Sequence, residues 1–252
     1  MHTKTLLPSL AAMVLVSVVL RLLLGKKSLK IRMIPFQILA CFIVLLEIGK
    51  QAVSFSRGYD LYHLPFHFCS LFIFMLPIMA FYNGKYKRAV TCITAAISAA
   101  MFLLMLIYPN LIYSAGNIEE FFSDYLSFHT VAFHNIVMLE FLLILGLNLH
   151  TPAPKKEIRN AVVFTIGFCV VSASMAQILK TNYANFYSCN IPVLEDVRVN
   201  LQGVMGYTLT QILYILILTA LNILFVMLAY GVYRLLRKLC SGTKNEEDLL
   251  PA

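Results

Sequence analysis

Cys69 and four histidines are the residues whose types and spacing could do chemistry. Cys69 closes the stretch Tyr62-His63-Leu64-Pro65-Phe66-His67-Phe68-Cys69, at the mouth of a strongly apolar run. His129 and His134 open another such run, Ser127-Phe128-His129-Thr130-Val131-Ala132-Phe133-His134-Asn135. A thiol near imidazoles reads as a Cys–His nucleophile. Thiolate is the reactive form, and a thiol among apolar neighbours needs a base at hand. His67 is two positions from Cys69, roughly 200° around a helix, so it points elsewhere. The base has to come from another segment, and His134 or His129 is the natural candidate. A lipid ester is a substrate already present at this depth. Attack by Cys69 would give an acyl-thioester, and an acceptor hydroxyl would then take the acyl group while imidazole carries the proton.

The elements that must position these groups follow from composition. The chain has 252 residues, 60% hydrophobic and 13% charged, with a mean hydropathy of +0.80. A soluble domain carries about a quarter charged residues. The fold class is therefore all-α: a polytopic membrane protein built as a seven-helix bundle. The expected spans are Leu6–Leu24, Pro35–Phe55, Leu64–Tyr82, Ala89–Tyr108, Ser127–Leu149, Ile158–Leu179 and Tyr207–Leu236. They form one transmembrane domain over residues 1–240, followed by a polar tail, 241–252, read as disordered. The net charge of +8 punctuates the apolar runs and makes no basic face, which excludes nucleic acid as a partner. Membrane lipids are the expected partners, in a multi-pass protein of the cell membrane, with oligomeric state left open.

Lys and Arg set the expected orientation. Basic clusters fall in 25–32, 83–88 and 150–159 and after the last span, alternating with basic-poor connections. The connection 109–126 has no Lys or Arg but carries Glu119, Glu120 and Asp124. This places the N-terminus outside and the C-terminus in the cytoplasm. The first span does not read as a cleaved signal peptide, because its basic cluster follows it and no A-x-A site closes it. The six cysteines form no C-x-x-C pair, so no disulfide framework is expected.

With this topology, the polar residues collect at one level. His67 and Cys69 stand at the outer end of the third span, and His129 and His134 at the outer end of the fifth. Glu47 is near the exit of the second, and Gln177, Lys180, Asn182 and Tyr183 near that of the sixth. Polar groups at membrane depth are costly and face a cavity or the bundle interior. Each has a bland alternative. A membrane cysteine is often a small apolar filler, Glu47 and Lys50 could simply pair, and Glu140 could be a structural hydrogen-bonding group. Two other functions compete with acyl transfer. His63 and His67, four apart, could begin a metal site completed by His129, His134, Cys69 or Glu47. The same histidines could also serve a ligand-binding or transporter protein. No lysine falls in 207–233, which excludes a retinal Schiff base in the last span, and no paired broken helices indicate an inverted repeat.

Three segments carry a family resemblance. Leu64-Pro65-Phe66-His67-Phe68-Cys69-Ser70-Leu71 resembles the L-P-x-[HE]-x-C-S-L motif of the YwaF family of bacterial integral membrane proteins. Phe128-His129 followed by His134 is similar to that family's F-H-x-x-x-x-H, and Asn182-Tyr183 to its N-Y. A transmembrane phospholipid acyltransferase is among the eukaryotic relatives of this family. The resemblance implies seven helices and Cys/His acyl transfer between lipids. Cys69 would be the nucleophile, with His134 or His129 as the base. His67, Glu47, Asn135, Asn182 and Tyr183 would contact substrate or cap its pocket. This reading calls for no cofactor and no metal.

Overall fold

A computed structural model describes residues 2–149 and 156–240, and every element among them is helical. In chain order these are α1 (His2–Leu24), α2 (Leu29–Ser56), α3 (Phe72–Phe81), α4 (Lys87–Ile107), α5 (Ala115–Glu119), α6 (Tyr125–Gly146), α7 (Lys156–Leu179), α8 (Pro192–Met205) and α9 (Tyr207–Cys240). Six of them, α1, α2, α4, α6, α7 and α9, are long and apolar enough to cross a membrane. The expected tail 241–252, and His150 with the basic residue Lys155, lie outside the described residues.

The expected third span is the main correction. The sequence pattern predicts a helix over Leu64–Tyr82, but regular α-helix covers only the ten residues of α3, preceded by a 3-10 turn at Cys69–Leu71. That apolar stretch, about 20 Å long at 1.5 Å per residue, is shorter than the roughly 30 Å hydrocarbon core. Pro65 has no N–H to donate to a helix, and the side chains of His63 and His67 bond locally instead. The segment still runs antiparallel to α2. Gln51 and Ser54, near the end of α2, hold His63, while Gln37, near its start, donates to the Ala80 carbonyl at 3.4 Å.

Two further expectations shift. The basic run 25–32 was expected as a loop before a helix starting at Pro35, yet α2 begins at Leu29 and carries Pro35 inside it. Arg32 is buried, and its guanidinium donates to the Leu147 carbonyl beyond α6 at 3.1 Å. That bond draws the basic turn into the helix. The connections 109–126 and 180–206 contain α5 and α8, which apolar-run length alone does not reveal.

α4 is the central post, packed against α3, α6, α7 and α9. Its buried face includes Ala95, Ala96, Ala99 and Ala100, small residues that let neighbouring membrane helices approach closely. Thr91, Thr94 and Ser98 are buried there too, and each hydroxyl bonds to the carbonyl four residues back. Leu216, Leu224 and Leu228 of α9 point outward and are exposed, as suits a face turned to lipid. The helix ends at Asn148 and Lys180 adopt left-handed backbone, and the next N–H in each case returns to the helix, Leu149 to Ile144 and Thr181 to Ala176. This is the usual C-terminal turn-off.

The end of the bundle that holds Glu47, Cys69 and His134 depends on how α6 starts. Asp124 caps it by accepting from the Ser127 N–H at 2.9 Å and pairs with Arg57 at 2.6 Å. Hydrogen bonding from Arg57, then from the Ser127 backbone, holds the Asp124 carboxyl below the ordinary carboxylate range. A depressed carboxyl stabilises the fold above its unfolded pKa, and that contribution disappears as the pH falls through the folded value. Asparagine also caps helices well, so Asp124→Asn isolates the charge. Thermal melts should show wild type ahead of Asp124→Asn at pH 7 by about 0.5 kcal/mol, the range of a solvated surface pair. The gap should close as the pH falls below about 4.

α6 reaches α2 at Gly49, where an added Cβ would overlap the hydroxyl of Tyr125. That hydroxyl donates to the Leu46 carbonyl at 3.1 Å. Gly49→Ala should therefore destabilise the bundle by about 1–3 kcal/mol through overpacking. Gly231→Ala on α9, where a Cβ meets nothing within 4 Å, should be neutral or slightly stabilising. Denaturation midpoints of the two variants in one detergent give the comparison.

Candidate functional site

Non-helical backbone at membrane depth must have its polar groups satisfied by protein or by water in a cavity. The segment before α3 meets this demand carbonyl by carbonyl. The Leu61 carbonyl accepts from the Tyr183 hydroxyl at 2.5 Å, and the Phe66 carbonyl from the Ser172 hydroxyl of α7 at 2.8 Å. The His63 carbonyl accepts from Gln51 Nε2 of α2 at 2.9 Å, and the Tyr62 carbonyl bonds His67 Nε2 at 3.0 Å. Tyr183 and Phe186 are fully buried in a small second core with Cys169, Ala173 and Ala176, against which Leu64 and Phe66 pack. This core clamps the unwound segment to α7.

Beside the segment lies a cavity of about 340 Å³. α2 contributes Glu47 and Lys50, and the unwound segment contributes Tyr62, His63, His67, Cys69 and Ser70. α4 adds Met101 and Leu104; α6 adds Leu126, His129, Thr130, Phe133 and His134. The connection after α7 adds Asn182, Ala184, Asn185 and Asn190. Cys69, His129, His134, His67, Glu47 and Asn182, expected at one level, thus line one cavity. Two expected contacts do not. Asn135 faces another neighbour: its Oδ1 accepts from Ser9 Oγ of α1 at 2.9 Å and from the Tyr113 hydroxyl at 2.5 Å. Tyr183 lies behind the lining, its ring edge-on to His67 with centroids 5.4 Å apart. Glu140 is completely buried in α6, away from the cavity lining, and neither carboxyl oxygen has a hydrogen-bond partner among the described residues.

The two histidines of α6 differ in their bonding. His134 Nδ1 lies 2.6 Å from the Thr130 carbonyl, which can only accept. In the neutral ring the proton is therefore on Nδ1, and Nε2 keeps a lone pair. His129 Nε2 instead lies 3.3 Å from Glu47 Oε2, within ion-pair reach. Its ring tilts over Phe133, with centroids 5.2 Å apart. Glu47 Oε1 accepts from Lys50 at 2.8 Å and from Gln51 at 2.6 Å. Both charges are nearly buried, so neither could lose its partner cheaply. The Lys50 ammonium lines the same cavity as Cys69, His67, His129 and His134. Lys50 is therefore a central charge of the cavity, although the sequence suggested only a helix-surface pair.

The connection that closes the cavity is strained. Ala184 and Asn185 are both left-handed, with φ of 47° and 65°. A non-glycine residue there costs about 1–2 kcal/mol, and such strain persists where surroundings over-determine it. Asn182 supplies part of that determination: its Oδ1 accepts from the Tyr187 and Ser188 N–H groups, and its Nδ2 donates to Asn190. Gln211 of α9 donates to the Phe186 carbonyl at 2.9 Å. Among the described residues, no group of three or more His, Cys, Asp or Glu side chains converges as a metal site would require.

Fold and site together define a multi-pass helical membrane protein with a polar cavity at one end of the bundle. The chain belongs to the TMEM164 family, which it matches over residues 1–233, a range that includes every residue lining the cavity. No curated protein and no solved structure matches it.

Ser172 carries no catalytic atom, yet the Phe66 carbonyl relies on it. Ser172→Ala should cost about 1–3 kcal/mol, the penalty for an unpartnered buried acceptor. A thermal midpoint equal to wild type in lipid nanodiscs would show that water replaces the hydroxyl.

Proposed function

We propose that this protein is a membrane-embedded lipid acyltransferase or transacylase with Cys69 as nucleophile and His134 as base. The observation that carries the reading is the hydrogen bond from His134 Nδ1 to the Thr130 carbonyl, in a residue lining the same cavity as Cys69. It leaves Nε2 as the proton acceptor. His129, with its Nε2 beside the Glu47 carboxylate, is suited to positioning and charge support. The resemblance to the YwaF family, with a phospholipid acyltransferase among its relatives, points the same way.

In the first step, His134 Nε2 takes the thiol proton and the Cys69 sulfur attacks the ester carbonyl carbon. The C–S bond forms, the ester C–O bond breaks, and the proton passes from His134 to the departing alkoxide. In the second step, His134 takes the proton of an acceptor hydroxyl, whose oxygen attacks the thioester. The C–O bond forms, the C–S bond breaks, and the proton returns to the thiolate. Lys50 offers positive charge to a phosphate, and Asn182, Asn185 and Asn190 offer amides at the same wall. The basic clusters at the opposite end support an orientation with the cavity on the non-cytoplasmic side and a place in the cell membrane. Crossing by the short α3 segment, with the cavity completing its length, would restore the seven-span plan.

Intact-protein mass spectrometry after incubation with phospholipid, acceptor omitted, tests the proposal. Wild type should gain an acyl-sized mass released by hydroxylamine, and Cys69→Ala should gain none. Cys69→Ser should keep the fold and lose turnover. His134→Ala should slow acylation by about 10²-fold or more. Wild type that never acquires the adduct would rule out the covalent route.

A further inference from the structure

The 14 residues of α8 are amphipathic in the wrong sense for a water-soluble surface helix. The residues turned toward the protein are Glu195, Arg198, Gln202 and Met205, which are half-buried, while every other residue of the helix is exposed. The polar stripe is firmly docked. Arg198 pairs with Glu195 at 2.5 Å and donates to Gln211 Oε1 of α9 at 3.0 Å. Glu195 also accepts from the Cys189 N–H at 2.8 Å. At 100° per residue, Val193, Val204, Val197, Leu201 and Leu194 then fall in an exposed arc of about 100° whose centre is about 110° around the helix from the docked stripe. Val193 is 71% and Val204 83% exposed. A third sector, away from the protein stripe, holds Asp196, Gly203 and, at the border of the apolar arc, Asn200, and the exposed Val199 stands between this sector and the stripe.

Three sectors, one docked on protein, one apolar and one polar, match a helix lying in a membrane interface. The position agrees. α8 joins the end of α7 to the start of α9, and the Tyr207 hydroxyl ties these two ends at one level by donating to Gln177 of α7 at 3.2 Å. Gly206, at φ 78°, breaks the chain between α8 and α9 so that the two helices need not be continuous. α8 packs on α9, and Ile178 and Leu209, near the ends of the two spans that it joins, are exposed as well. We propose that α8 is an interfacial helix whose Val193–Val204 arc is embedded in the lipid surface, beside the connection that lines the cavity. Its occupant is the bilayer, to which the exposed apolar faces of α7 and α9, the two spans that α8 joins, are also turned.

The chain contains no tryptophan, so a single inserted one reports without background. The full chain is reconstituted in phosphatidylcholine vesicles as Val204→Trp, Val197→Trp or Asp196→Trp, the first two on the arc and the third on the polar sector. Phosphatidylcholine brominated in its acyl chains near the headgroup should quench both arc variants about threefold or more over Asp196→Trp, as expected for shallow insertion. Aqueous acrylamide should show the reverse order. Arc variants quenched by acrylamide and not by brominated lipid would overturn the proposal in favour of a solvated helix. Blue-shifted emission quenched by neither would overturn it in favour of a protein partner, including a second copy of this chain. Either arc variant alone decides the matter if the other fails to reconstitute.

Discussion

Everything at the cavity end depends on a backbone that gives up its own helical hydrogen bonds. The stretch from Leu61 to Phe68 has no α-helical ladder, and its Leu61, Phe66 and His63 carbonyls are answered from outside by Tyr183, Ser172 and Gln51. These partners come from α2, α7 and the connection after α7, so the segment forms only once those elements are assembled. In return, side chains that a continuous helix would have sent around its whole circumference are gathered on one wall. Cys69 and His67 both line the cavity, although two residues of regular helix would have turned them roughly 200° apart. The unwinding creates the site.

The charges at the site follow the same economy. Glu47 is surrounded by Lys50, Gln51 and His129, and Lys50 brings its positive charge to the cavity that the thiol and the imidazoles line. His134 is held instead by its own helix, through a carbonyl one turn earlier. This separates two roles that the sequence left interchangeable. One imidazole of α6 answers to a carboxylate, and the other keeps a lone pair for whatever enters. The family match over residues 1–233 covers both histidines and the cysteine.

Much of this was legible because depth in a membrane can be counted. Apolar run lengths place most helix ends to within a few residues, the starts of α2 and α3 excepted, and distance from a span's end predicts which polar groups share a level. That reasoning brought together Cys69, His67, His129, His134, Glu47 and Asn182. It failed where direction rather than depth decides. Asn135 adjoins His134 but is turned about 100° from it, toward Ser9 and Tyr113. Tyr183 sits at the right level but one layer back. Ser172 and Gln51 escaped notice because their importance lies in carbonyls that only an unwound segment exposes. α8 escaped because 192–205 is too polar to read as a span, although Pro192 at its start and apolar residues at 193, 197, 201 and 204 carry a helical period.

The shortness of α3 has an electrical consequence. Water admitted by the cavity to the level of Cys69 would leave the ten residues of α3 as the insulating remainder of that path, about 15 Å by helical rise against a core of roughly 30 Å. A transmembrane voltage dropped over half the thickness gives about twice the local field. A lysine and four imidazoles stand at the edge of that step. With α3 crossing as the proposed seven-span plan has it, the protonation and ion-pairing of the site would be coupled to membrane potential.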